Sequence, residues 1–377
     1  MKICVISSHK GFNGWVALMG ILKKEMNSEI DFIFNFSDID YREDRNLIQK
    51  IYLRIKNYVF FPLTCIRKAK QIKKKYDLII TVTNPFFLPI VNGYLFSKKK
   101  HLIVNFDIYP KSLVIHGVIK QDGFFEKLIL RLMGKAISKS SGSIYLLDSH
   151  KNYALSKGWV NNNSPVIPIC SGSPGDYFEP QKYDGAVNFL YCGTLGLMHD
   201  YTTMLNFLAG EDINNCSVFK FYTSGNRKNQ FEKEVALQCK GLMEEQKLVL
   251  GNSLGPEQWK ELMISSQVGL VFQSQGAGNV IFPSKVVSVL SMGQAVLAVC
   301  DSDSDLDILV KENDCGWVVD HGDVEGMRKA ISETHDPETL YRKRTNAYKL
   351  AQSKFSITTI VDQWKEAIDK SLHSDTL

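Results

Sequence analysis

The sequence predicts an α/β protein made of two consecutive, doubly wound parallel-sheet domains of the Rossmann-like kind. Three observations carry this. Short apolar runs of strand length alternate with amphipathic stretches of helix length along the whole chain. The pattern stops in a stretch dense in Gly, Pro and Ser, SGSPGDYFEPQKYDG (171–185), and then restarts. With 377 residues, the chain is also longer than one hydrophobic core comfortably organises. The expected domains are residues 1–175 and 185–352, with a hinge between them and a last helix, 355–377, returning to the first domain.

In the first half, KICVIS reads as a strand, SHKGFNG as a turn, and Trp15 to Lys24 as an amphipathic helix. Gly11 and Gly14 let backbone approach a ligand at that strand end. Their spacing is not G-x-G-x-x-G, which speaks against a nicotinamide dehydrogenase. IDFIFNF, DLIITVT, HLIVNFD, GSIYLLD and SPVIPIC read as further strands, with a helix over SHKNYALSKG closed by Gly158. Asp107 ends one strand beside Pro110, where an aspartate either caps a turn or serves a site.

Between Lys50 and Lys75 there are nine Lys/Arg and no Asp or Glu. Ile48, Ile51, Tyr52, Ile55, Tyr58 and Val59 recur there at helical spacing, with Lys50, Arg54 and Lys56 mostly elsewhere on the wheel. Such a segment either lies on an anionic membrane surface or is a domain helix with a solvated basic face.

The second half repeats the scheme. VNFLYCG is a strand ending at Gly193, and YTTMLNFLAG a helix. FKFYTSG is a strand followed by Arg227 and Lys228 at a helix start, where they either bind phosphate or are simply solvated; KLVLGN and VGLVF are strands. VIFPSKVVSVLSMGQAVLAVC then reads as turn, helix, turn and buried strand, with Ser284 as cap, Lys285 in the first turn and Gly293 as the left-handed stop. Unpaired amides, the positive dipole end and Lys285 make that helix start a candidate diphosphate seat, against the alternative of an ordinary strand-helix-strand unit with a solvated lysine. Phe355 to Leu372 lines Ile357, Ile360, Val361, Trp364, Ile368 and Leu372 along one face as a packing helix.

Bulk composition fits a globular protein, 44% hydrophobic and 23% charged, with a net charge of +5 that suits anionic ligands or membrane surfaces without requiring nucleic acid. The eight cysteines are scattered with no C-x-x-C pair, which argues for reduced thiols and against a zinc site. The N-terminus starts as a strand without a signal-peptide pattern, and no window reaches 18 uninterrupted apolar residues. A cytoplasmic protein whose membrane contact is peripheral is the expectation.

The blocks NFLYCGTLGLMHDYTTMLNFL, VIFPSKVVSVLSMGQAVLAV and CGWVVDHGDVEGMRKAI, with FDIYPKSLV in the first half, resemble the family 4 glycosyltransferases, and in order and spacing they cover most of the chain. The resemblance implies the GT-B fold, two Rossmann-like domains facing across a cleft, and a retaining transfer from a nucleotide-diphosphate sugar without metal or other cofactor. It is similar to bacterial enzymes of O-antigen, capsule or colanic acid synthesis, which implies a hexosyl, deoxyhexosyl or N-acetylhexosaminyl transferase extending a lipid-linked saccharide at the inner face of the cytoplasmic membrane.

By the same resemblance, Leu250 and Gly251 hold the base, Gly193 lies at the diphosphate, and Asp107 is a positioning group near the sugar. The family's Arg and Lys clamp corresponds here to Thr194 and Asp200, with His199 adjacent, and its two glutamates to Val280 and Ser288. Lys285, Arg227 and Lys228 therefore become the candidate phosphate cations, and Ser288, one turn beyond Ser284, the candidate partner of a ribose hydroxyl. A sugar-nucleotide epimerase and a catalytically silent scaffold on the same fold stay open.

Overall fold

The computed structural model describes residues 1–8, 13–35, 47–83, 85–96, 100–159, 161–169, 177–210 and 216–373. The chain forms two compact units, Met1–Ser173 together with Ile357–Leu377, and Pro174–Ser356.

The first unit runs β1 (Lys2–Ile6), α1 (Asn13–Glu25), β2 (Glu29–Ile33), α2 (Leu47–Ile55), a π-helical turn (Lys56–Phe60), α3 (Phe61–Lys75), β3 (Leu78–Val82), α4 (Leu88–Leu95), β4 (Lys100–Asn105), α5 (Lys111–Ile115), α6 (Phe124–Ser138), β5 (Gly142–Tyr145) and α7 (Asp148–Ser156). Its sheet is parallel, in the order β2-β1-β3-β4-β5. Covered on both faces, the central strands are apolar at nearly every position, as in LIITV of β3, which is buried throughout.

Alternation along these strands sorts the helices. Ile3, Val5, Leu78, Ile80, Leu102, Val104 and Ile144 face α1 and the C-terminal helix. Cys4, Ile6 and Ile79 face α3 and α4, and Ile103 and Tyr145 face α4 and α6. SPVIPIC, expected as a strand, contributes among its described residues a single parallel bridge, Tyr145 to Val166. Pro165 and Pro168 have no N–H to give a ladder; Pro165 O accepts from Tyr145 N at 3.1 Å, and Ile167 N donates to Tyr145 O at 2.8 Å.

The second unit runs β6 (Val187–Thr194), α8 (Thr202–Gly210), β7 (Ser217–Ser224), α9 (Lys228–Gln238), α10 (Lys240–Glu244), β8 (Leu248–Gly251), α11 (Pro256–Ile264), β9 (Val268–Phe272), α12 (Lys285–Ser291), β10 (Ala295–Val299), α13 (Asp305–Glu312), β11 (Gly316–Val319), α14 (Val324–Glu333) and α15 (Pro337–Lys354). The sheet is again parallel, in the order β11-β10-β9-β6-β7-β8, so the strand order reverses between β6 and β9. Ligands of open α/β sheets collect beyond the strand C-termini at such a switch point. An aromatic ladder crosses it: Tyr191 of β6 stacks on Phe272 of β9 at 5.0 Å and on Phe221 of β7 at 6.3 Å.

α16 (Ile357–His373) belongs to the first unit. Its face Ile357, Ile360, Val361, Trp364, Ala367 and Ile368 is buried, and Trp364 meets Trp15 edge-on at 5.4 Å. Asn163 fastens the last turns, donating to Ala367 O at 2.9 Å and Ser371 Oγ at 2.8 Å.

Candidate active site

At the switch point β6 ends in YCGT. Gly193 has φ 138°, a conformation costly for any residue with a side chain, and a Cβ there would touch Lys285 Cε at 3.5 Å. Lys285 is half-buried and turns inward. Its ammonium lies 3.8 Å from the centroid of the Tyr191 ring and donates to the Tyr191 hydroxyl and, at 3.2 Å, to Thr194 O. The Tyr191 hydroxyl in turn donates to the same carbonyl at 2.8 Å. Burial pulls the Lys285 amine down to about 7, with the Cys192 thiol acting the other way. An ammonium has three protons, and these contacts occupy two.

The helix start differs from the expectation. Ser284 stands at the N-cap position in helical geometry, and its hydroxyl makes no capping bond. The N–H groups of Val286 and Val287 are taken up by Pro283 O at 2.9 Å and Ser284 O at 3.2 Å. Of the amides at this helix start, from Pro283 to Val287, those of Ser284 and Lys285 alone have no acceptor among the described residues; Pro283 has no N–H. Ser288 sits half-buried one turn beyond Ser284.

Around Lys285 the loop after β6 is fixed by its neighbours. Leu195 N donates to Ser224 O at 2.7 Å, and Arg227 N donates to Leu195 O at 3.1 Å. Gly225, at φ 97°, allows this: a Cβ there would lie 2.6 Å from Leu195 O. His199 Nδ1 accepts the Gly196 N–H at 3.0 Å, and burial, then the Lys285 and Arg227 charges, hold its imidazole down at about 4. Arg227 lies over the Tyr201 ring at 4.8 Å and donates to His199 O at 3.3 Å. Lys228 is engaged elsewhere, with Asn252 Oδ1 and with Glu232 at 3.6 Å.

A second loop meets the first. Ser274 binds Met198 O at 3.0 Å and Leu197 O at 2.9 Å. Asp301, just after β10, accepts the Gly276 N–H at 2.8 Å and the Gly278 N–H at 3.3 Å. His321, just after β11, stands 3.4 Å from both Asp200 and Asp301. Leu250 and Gly251 lie on the edge strand β8, half-buried; Gly251 is needed because a Cβ would strike the Tyr222 ring at 2.4 Å.

In the first unit, Asp107 follows β4. Burial pushes its carboxyl above the usual aspartate range, while the Tyr109 hydroxyl, donating at 3.3 Å, lowers it. Gly14 falls in α1; Gly11 and residues 171–176 of the expected hinge lie outside the described residues. Among the described residues no cluster of His, Cys, Asp and Glu is placed to hold a metal, and no helix is long and apolar enough to cross a membrane.

No family model matches the chain. It is 22% identical over 277 residues to the probable glycosyltransferase WbjE of Pseudomonas aeruginosa, a match covering 69% of this chain and 66%, just under two thirds, of that protein. Among solved structures it is similar to Anabaena HepE in complex with UDP, with a TM-score of 0.67, 14% identity, and coverage of 98% of this chain and 100% of that one. The lipopolysaccharide outer core galactosyltransferase WaaB gives 0.62 and 14% identity, covering 98% and 99%.

The fold is that of the GT-B glycosyltransferases. Within it, sequence reasoning named Lys285, Thr194 and Gly193 but missed Tyr191, Asp301 and His321. Tyr191 hides in an apolar run, and only its place two residues before a glycine at a strand end marks it. Asp301 and His321 follow AVLAVC and WVVD, so a polar residue closely following a buried strand is the signal that could have found them.

Proposed function

We propose that the protein is a retaining, metal-independent family 4 glycosyltransferase that takes a sugar from a UDP-sugar. It transfers that sugar to a lipid-linked saccharide during surface polysaccharide (O-antigen or capsule) synthesis, at the inner face of the cytoplasmic membrane. The observation that carries the reading is Lys285, an amine held half-desolvated at the switch point of the second sheet, above Tyr191 and against the end of β6. The likeness to WbjE supports glycosyl transfer, and HepE, which was solved with UDP and with UDP-glucose, supports a uridine nucleotide.

In the transfer the bond between the anomeric carbon and the diphosphate oxygen breaks, leaving negative charge on the diphosphate. The Lys285 ammonium, the free amides of Ser284 and Lys285, and the Arg227 guanidinium stabilise that charge without a metal. The acceptor hydroxyl attacks on the face the diphosphate leaves, and its proton passes to a departing phosphate oxygen. Asp107, kept protonated to higher pH than an ordinary aspartate, holds a sugar hydroxyl, and Ser288 a ribose hydroxyl. The basic segment 50–75 seats the enzyme on anionic lipid. Its outward residues Ile51, Tyr52, Ile55 and Val59 are 43–57% exposed, and Ile48 just before it is 77% exposed, which supports a membrane-facing rather than a core-facing helix.

Lys285→Ala tests the reading. Transfer from UDP-sugar should fall at least about a hundredfold, the cost of removing one group that meets developing charge, with an unchanged circular dichroism spectrum. Undiminished transfer, or a wild-type protein that changes the donor's stereochemistry with no acceptor present, overturns it.

A further inference from the structure

The first unit carries a second apolar surface that the basic segment does not include. Phe124 and Phe125, at the start of α6, are 74% and 64% exposed, and Val118 in the preceding turn is 66% exposed. The two phenylalanine rings touch each other edge-on, centroids 5.6 Å apart. Two adjacent exposed aromatics, six residues after an exposed valine, leave apolar surface in water, which water disfavours.

Topology puts Phe124 and Phe125 at the same end of the sheet as the basic segment's apolar face. α3, α4 and α6 pack on the same face of the sheet. In parallel α/β units each helix runs back antiparallel to its strands, so the starts of all three lie at the strand C-terminal end. α2 and the π-helical turn precede α3 without a break in the helix, and no described residue from Ile48 to Phe60 is buried. That stretch therefore overhangs the same end. An aromatic chain links it to the strand ends: Tyr58 to Phe87 at 5.7 Å, Phe87 to Phe86 at 5.2 Å, and Phe86 to Tyr109 at 5.5 Å.

Charge decides what covers the patch. Lys127, Arg131 and Lys135 follow one another every four residues along α6 with Lys139 just past its end, and none has a carboxylate within ion-pair distance among the described residues. With Lys157 and Trp159 they line a concavity of about 540 Å³. Glu126, the acid in the first turn of α6, is turned onto the Asp122 N–H at 2.5 Å. Apolar tip and unneutralised basic flank together match an anionic bilayer, whose interior takes the rings and whose headgroups take the cations.

We infer that Val118, Phe124 and Phe125, flanked by Lys127 and Arg131, form a second membrane contact. Together with the α2–α3 face it seats the first unit with its strand C-termini, and hence Asp107, toward an anionic bilayer. The inference rests on the membrane-associated reading above and adds a second anchoring point to it.

Co-sedimentation of the full chain with vesicles of phosphatidylcholine alone or mixed with phosphatidylglycerol tests it. Wild type should bind the mixed vesicles and not the neutral ones. Phe124→Ser/Phe125→Ser should weaken that binding roughly tenfold or more, and Lys127→Glu/Arg131→Glu should weaken it and flatten its salt dependence. All these positions are exposed, so melting should be unchanged. Failure of wild type to bind at low salt sinks the membrane reading and the inference together. Normal binding by the phenylalanine variant sinks the inference alone. So does light scattering that shows a concentration-dependent dimer lost in that variant while vesicle binding is intact, because the patch would then belong to a second copy.

Discussion

Lys285 shows how a residue's surroundings set its chemistry. A lysine in water stays charged far above neutrality; here burial has brought the amine to about 7, so near neutral pH it is only partly protonated. An anion placed against it favours the charged form and raises that value. UDP binding should therefore draw a proton onto the protein, with affinity climbing as pH is lowered toward about 7 and levelling off below it, where the free lysine is already charged. Calorimetry in buffers of different ionisation enthalpy measures the uptake directly. Lys285→Ala should abolish it, and a wild-type enthalpy independent of buffer would contradict the assignment. Tyr191 takes part in the same balance, since its ring and hydroxyl hold the ammonium where it loses water.

At the level of elements, α16 has the clearest energetic consequence. Trp364 is 2% exposed and packs against Trp15 in the first unit's core, so Trp364→Ala should cost about 3–5 kcal/mol. Urea unfolding should show this as a lowered midpoint, with Trp364→Phe recovering part of it; a shift below about 1 kcal/mol would mean the helix is dispensable. Its one-sided apolar pattern made this helix readable from sequence, as AVLAV and Gly293, at φ 62°, made β10 and the turn before it readable. Other elements were not readable, for physical reasons. SPVIPIC is apolar enough for a strand, yet its prolines cannot donate to a ladder. The π-helical turn Lys56–Phe60 shifts the helical register, so the inward positions of α3, Phe61, Cys65, Ala69 and Ile72, do not continue the stripe read through α2. Ser284 has the composition of a cap, but Val286 and Val287 find backbone carbonyls first. Lys285 was legible because the turn, helix and strand around it lie in one segment. Its setting was not, since Tyr191, Asp301 and His321 arrive from three other strand ends.

For the whole molecule, the two units have separate hydrophobic clusters, one around Phe189, Phe219 and Phe272, the other around Trp15, Leu18 and Trp364. A chain with two independent cores need not unfold in one step, and calorimetry should resolve two transitions. Each can be assigned by perturbing one unit. Trp364→Ala acts on the core of the first and should lower one transition alone. UDP, which the proposed function seats at Lys285 and the β6 loop, should raise the other, by about 2.7 kcal/mol at a hundred times its dissociation constant. The two perturbations thus make a cross-check that neither gives singly. If UDP raises the transition that Trp364→Ala lowers, the nucleotide sits on the first unit and the assignment of Lys285 fails.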